Sequence, residues 1–126
     1  MLNADRARIL LRVTVACLLA AHGWFRLVTG GHVGFGEWLS SQHVPFGPAV
    51  AILVTAIEVL ATPLLAIGRY VRVVAPLLAA VYVCGMLLLH RNEGWFVVGG
   101  GRNGMEYSVL LVVCLGVLWL THDQKA

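Results

Sequence analysis

Four stretches of this sequence run to nearly twenty residues each with few side chains that are not apolar. About twenty such residues in a helix cross the ~30 Å hydrocarbon core of a bilayer. The stretches are residues 9–28 (ILLRVTVACLLAAHGWFRLV), 49–67 (AVAILVTAIEVLATPLLAI), 70–90 (YVRVVAPLLAAVYVCGMLLLH) and 105–121 (MEYSVLLVVCLGVLWLT), the last being the shortest. They must be helical, because lipid offers the backbone no hydrogen-bond partners, and none alternates as a barrel strand does. Of the 126 residues, 60% are hydrophobic and 12% charged, against about 45–50% and about 25% in soluble domains. That excludes a water-soluble globule and a disordered chain. No Lys/Arg cluster is interleaved with aromatics, so nucleic acid is excluded as a partner. The expected architecture is one all-α domain over residues 1–126, an integral membrane four-helix transmembrane bundle in contact with the lipid bilayer.

Arg6, Arg8 and Arg12 precede the first apolar run as they would in a secretory signal, but His22, Trp24 and Arg26 stand where a cleavage site needs small residues. The segment is therefore expected to stay as the first helix. With four spans, one side of the membrane carries Arg6, Arg8, Arg12, Arg69, Arg72 and Lys125, and the other carries Arg26, Arg91 and Arg102. The positive-inside rule then places both termini in the cytoplasm, N-in/C-in. Gly68-Arg69 leaves almost no loop, so the second and third spans are expected to be antiparallel neighbours. In the first outer connection, Phe35, Trp38 and Leu39 fall at i, i+3 and i+4 with Glu37, Ser40 and Ser41 between them. This pattern predicts a short amphipathic helix in the headgroup layer. The second outer connection (RNEGWFVVGGGRNG) is glycine-rich and admits two readings, a loop dipping toward the bilayer or a surface turn with an aromatic anchor. Cys17, Cys84 and Cys114 sit singly in apolar runs and read as small buried hydrophobes.

Ionisable residues at membrane depth are costly and point to function. Glu58 follows Pro48 by ten positions, about 15 Å into the membrane at ~1.5 Å per residue. His22 lies in the outer half of the first helix with Arg26 one turn later. His90 closes the third span and Glu106 opens the fourth. Together His22, Arg26, Glu58, His90 and Glu106 suggest an outward-facing polar pocket, with Trp24 and Trp95 walling its mouth. Glu58 is the expected proton acceptor or hydrogen-bonding acid, His22 its partner across the pocket, and Arg26 the holder of Glu106 or of an anionic substrate group. The plain alternatives are structural. Glu58 with Thr55 and Thr62 makes a polar stripe suited to interhelical bonding, Arg26 suits an interfacial anchor, and His22 suits a bond to a carbonyl. Arg12 and Arg72 lie near the cytoplasmic ends, where long stems snorkel, and are assigned no chemistry.

Such a set suits a quinone bound with proton transfer through Glu58 and His22. It also admits a haem between His22 and His90, or a metal on the same histidines and acids. No H-x3-H or H-E-x-x-H spacing supports the metal. The competing class is a non-enzymatic scaffold or assembly factor, with Gly85 and Gly116 letting a second copy or another membrane subunit approach closely.

The HGWFRL segment, the GFGEWLSSQHVPFGP connection, Glu58, the GRYVR turn, LLLHRNEGWF and GGGRNGMEYSVLL occur in an order and spacing that resemble the DoxX family of small four-helix membrane proteins. A G-x-x-K/R-like element is filled by Gly23-Trp24-Phe25-Arg26. A double glycine usual after the acid is replaced by Ala61-Thr62-Pro63, so a kink is expected at Pro63. The resemblance implies a bacterial-type plasma (inner) membrane and a link to quinone-dependent oxidoreductases. Some relatives, the DoxD type, are membrane subunits of thiosulfate:quinone oxidoreductase, and others accompany membrane assemblies in oxidative-stress defence. It further implies a soluble redox protein as the electron-donating partner.

Overall fold

The computed structural model describes residues 3–88, 90–99 and 104–122. Five α-helices follow one another: α1 (Ala4–Thr29), α2 (Gly31–Ser41), α3 (Gly47–Ile67), α4 (Val71–Leu88) and α5 (Glu106–Thr121), with a 3-10 turn at His90–Glu93. Among the described residues there is no strand. Helices α1, α3 and α4 are long and apolar enough to cross a membrane. Helix α5 is apolar but has 16 residues, which at ~1.5 Å per residue is about 24 Å, short of the ~30 Å core. Two compact units divide the chain, one of Arg12–Arg69 and one of Met1–Leu11 with Tyr70–Ala126.

Helix α1 starts before the apolar run because a polar cap starts it. Asn3 Oδ1 accepts the Arg6 N–H at 2.9 Å, satisfying a donor that the first turn leaves open. Asp5 adds an i,i+3 ion pair with Arg8 at 3.2 Å, and its charge favours the helix N-terminus.

Within residues 12–69, the expected short amphipathic helix is α2. Its Leu39 is buried, and Phe35 and Trp38 stack with centroids 6.3 Å apart and planes 12° from parallel. Helix α2 packs against α3, and the approach is tight: a Cβ at Gly36 would stand 2.7 Å from Pro48 Cα. Helix α3 ends at Gly68, whose φ of +78° is costly for any residue with a Cβ. Arg69 N–H bonds Leu64 O at 2.8 Å and Gly68 N–H bonds Leu65 O at 3.1 Å, the paired closure of a Schellman end. Pro63 lies inside α3 without ending it.

Arg12 has a more definite place than a snorkelling side chain. Its Nε donates to Ala66 O at 3.2 Å, at the negative end of the α3 dipole. Arg12→Met should cost about 1–2 kcal/mol, the worth of a charge-assisted bond at a helix C-terminus. Equilibrium unfolding in mixed micelles would measure it, and an unchanged midpoint would show that the bond contributes nothing.

In the other unit α4 packs against α5, with Val71, Val74, Ala75 and Leu78 buried on α4 and Ser108, Leu111, Leu115 and Leu118 buried on α5. Both rows step by three or four residues, the spacing of one helix face. Tyr70 has a φ of +56° and so precedes the helix instead of opening it. The expected span over 70–90 also ends early, because α4 stops at Leu88 and His90 begins the 3-10 turn. The side chains of His90 and Arg91 lie outside what the structure describes, as do Arg102 and Lys125 of the charge count. The glycine-rich connection is tied to the start of α5. Met105 N–H bonds Gly94 O, Glu106 N–H bonds Trp95 O and Gly104 N–H bonds Phe96 O, each at 3.0 Å. Cys17 and Cys84 are exposed and Cys114 is half-buried, which corrects the expectation that all three are buried. On helices that cross lipid an exposed thiol meets acyl chains, and a small apolar side chain suits that face equally well.

Candidate functional site

The buried face of α3 is Ala51, Thr55, Glu58, Ala61, Thr62 and Leu65. Its polar members would weaken an apolar contact unless satisfied. Each threonine donates its proton within the helix, Thr55 to Ala51 O at 2.8 Å and Thr62 to Glu58 O at 2.5 Å. Their oxygens keep only acceptor capacity. Glu58 is 2% exposed, so its carboxylate needs a strong partner.

Arg26 of α1 supplies it. Nη2 donates to Glu58 Oε1 in an ion pair, and Nη1 donates to Thr55 Oγ1 at 3.1 Å. The guanidinium also stands over the Phe35 ring of α2, with Cζ 5.0 Å from the centroid. A desolvated cation over a ring face gains about 2 kcal/mol. Three helices therefore meet at one cation: α1 brings it, α3 neutralises it and α2 covers it. The backbones can approach because Gly23, one turn before Arg26, is buried against Glu58 and Val59. The outcome is a net-neutral pair with a donor fork and a carboxylate side by side, able to bond a ligand that offers an acceptor and a donor.

Of the expected site residues, Arg26 and Glu58 are brought together. Arg26 was expected to hold Glu106 or an anionic group, and its carboxylate is instead that of Glu58. Sharing the helix with Arg26, His22 and Trp24 are both exposed, Trp24 by 50%. Trp95 and Glu106 belong to the other unit, where Glu106 Oε1 accepts the Val97 N–H at 3.0 Å and Trp95 is 48% exposed. Glu106 thus holds the connection before α5 in place. Phe35 was legible only as part of an amphipathic stretch and Thr55 only as part of a stripe.

A groove of about 390 Å³ opens beside the pair. Leu27, Ile52, Ala56, Val59 and Leu60 wall it, with His32 and Thr55 as its polar members. His32 was missed from sequence, because an imidazole in a glycine-rich connection looks like any solvated polar residue. Among the described residues no three His, Cys, Asp or Glu side chains group as a metal-holding set.

Among known families, the model described as DoxX matches residues 7–91. That stretch contains Arg26, Phe35, Thr55 and Glu58, and ends before Trp95 and Glu106. No curated protein and no solved structure matches the chain.

Proposed function

The chain belongs to the DoxX family and is a multi-pass membrane protein, and on that premise we propose that it is the membrane subunit of a quinone-linked redox system. The observation that carries this reading is the Arg26–Glu58 pair, buried in a segment otherwise fit for lipid. A quinone fits the donor set, since Arg26 is a fixed donor for a carbonyl oxygen and Glu58 an acceptor for a hydroxyl. When bound, a quinone supplies a two-electron, two-proton couple. Arg26 orients the ring oxygen, Glu58 holds or receives the proton, and the apolar walls exclude water. His22, exposed on the same helix, is the proposed onward proton carrier. In this reading α5 is the fourth span, both termini are cytoplasmic, the membrane is a bacterial-type inner membrane, and a soluble redox protein is the partner.

Protein purified in native lipid and then solvent-extracted should release a quinone detectable by its ultraviolet difference spectrum on reduction. The paired variant Arg26→Met with Glu58→Leu removes both charges without orphaning either, and should release much less. Absence of quinone from the wild-type extract, or equal amounts from both proteins, would defeat the reading. A scaffold or assembly role is favoured by a different observation. Gly116 lines an apolar groove of about 290 Å³ on α4 and α5, and a Cβ there would meet nothing within 4 Å.

A further inference from the structure

We infer that the Arg12 guanidinium, at the Ile67 end of α3, is a binding site for the phosphate of an anionic membrane lipid. Arg12 is half-buried and held at two places. Its Nε donates to Ala66 O at 3.2 Å. Its guanidinium lies against Gly68, where a Cβ would stand 2.8 Å from Cζ and from Nη1 and 3.1 Å from Nη2. The two terminal nitrogens are what remains. Among the described residues Nη1 and Nη2 have no hydrogen-bond partner, and neither is sealed inside the protein. A guanidinium fixed through Nε presents them as a planar fork, spaced for two oxygens on one centre.

Charge and position select the ligand. Within residues 12–69 the acids are Glu37, on α2, and Glu58, which pairs with Arg26, so neither neutralises Arg12. The C-terminus of α3 contributes about half a negative charge, against the full positive charges of Arg12 and of exposed Arg69 beside it. This end of the unit is therefore net positive. It is also where the chain passes from apolar Ile67, 68% exposed, to Gly68 and Arg69, as a spanning helix does on leaving hydrocarbon for head groups. A lipid phosphate reaches the fork while its acyl chains lie along exposed Val13 and Ile67. A free phosphate meets the same donors but gains nothing from those apolar side chains. A choline head group brings a cation that Arg12 and Arg69 repel, whereas a glycerol head group does not. The inference stands apart from the redox reading, since it uses neither Glu58 nor a quinone.

The test uses the full chain in neutral maltoside micelles, titrated with dioleoyl phosphatidylglycerol or dioleoyl phosphatidylcholine, with bound lipid counted by native mass spectrometry. Wild-type protein should take up its first phosphatidylglycerol about tenfold more tightly than its first phosphatidylcholine, the worth of one hydrogen bond to a charged group. Arg12→Lys keeps the charge but loses the planar fork, and an ammonium cannot hold Ala66 O and a phosphate in one geometry. Its affinity for phosphatidylglycerol should fall several-fold. Phosphatidylglycerol should also raise the wild-type unfolding midpoint more than phosphatidylcholine does, a result readable even if Arg12→Lys fails to fold. Inorganic phosphate as competitor separates two sources of the same chemistry. Failure to displace phosphatidylglycerol at equal concentration assigns the lipid, whereas displacement assigns a free anion and overturns the proposal. Equal wild-type affinity for the two lipids, equal midpoints with them, or undiminished binding in Arg12→Lys would each overturn it as well.

Discussion

Glu58→Gln should lower the stability of the fold by about 3–5 kcal/mol, the usual cost of leaving a buried charge without its partner. Arg26 cannot answer by losing its proton, because guanidinium stays charged under all ordinary conditions. It can only turn toward the interface, and its side chain is already 18% exposed. Arg26→Met should also lower stability, since it takes the cation away from a carboxylate that is 2% exposed. Arg26→Met combined with Glu58→Leu should recover most of the loss, since a buried ion pair replaced by apolar residues of similar volume is often neutral or better. Unfolding of wild type, Arg26→Met, Glu58→Leu and the double variant in mixed micelles completes a double-mutant cycle. A strongly favourable coupling energy is expected. If the double variant were as unstable as the two losses summed, Arg26 and Glu58 would each answer to something other than the other.

The helices were legible because lipid imposes one rule on every spanning segment, and α3 and α4 fall within a few residues of the apolar runs. α2 was legible for a different reason, the i, i+3, i+4 placement of Phe35, Trp38 and Leu39. Misjudged ends are those set by polar chemistry that hydropathy does not register. Asn3 capped α1 early, and Tyr70 in the left-handed region delayed α4. In the site, the residue types were legible but not their partners. A carboxylate at membrane depth demands a cation, and three arginines within the first and third spans (Arg12, Arg26 and Arg72) were formally available. Choosing Arg26 requires the rotation of α1 against α3, which the residue types alone do not state. One clue was present: Gly23, the small residue a turn before Arg26, marks the face that approaches another helix. Arg12 follows the same logic at the opposite end of α3, where its partner is a backbone carbonyl and leaves no trace in residue types.

Gly23→Ala should be strongly damaging for a single added methyl. The added Cβ would stand 2.7 Å from Glu58 Cβ, 3.2 Å from the Glu58 carbonyl carbon and 3.2 Å from Val59 Cγ2. None of these is the far end of a flexible side chain, so relief comes only from moving α1 off α3. The same motion pulls Arg26 away from Glu58 and Thr55, and the overpacking cost of about 1–3 kcal/mol is joined by part of the ion-pair loss. A fall of about 3 kcal/mol follows. Gly85→Ala supplies the matched comparison: it lies in helix α4, and a Cβ there meets nothing within 4 Å. Helix propensity alone then acts, and favours alanine by about 1 kcal/mol. The two substitutions add the same methyl to the same kind of backbone, so opposite signs in the unfolding midpoint isolate the packing term. Were Gly23→Ala as harmless as Gly85→Ala, the close approach of α1 to α3 would not be what brings the guanidinium to its carboxylate.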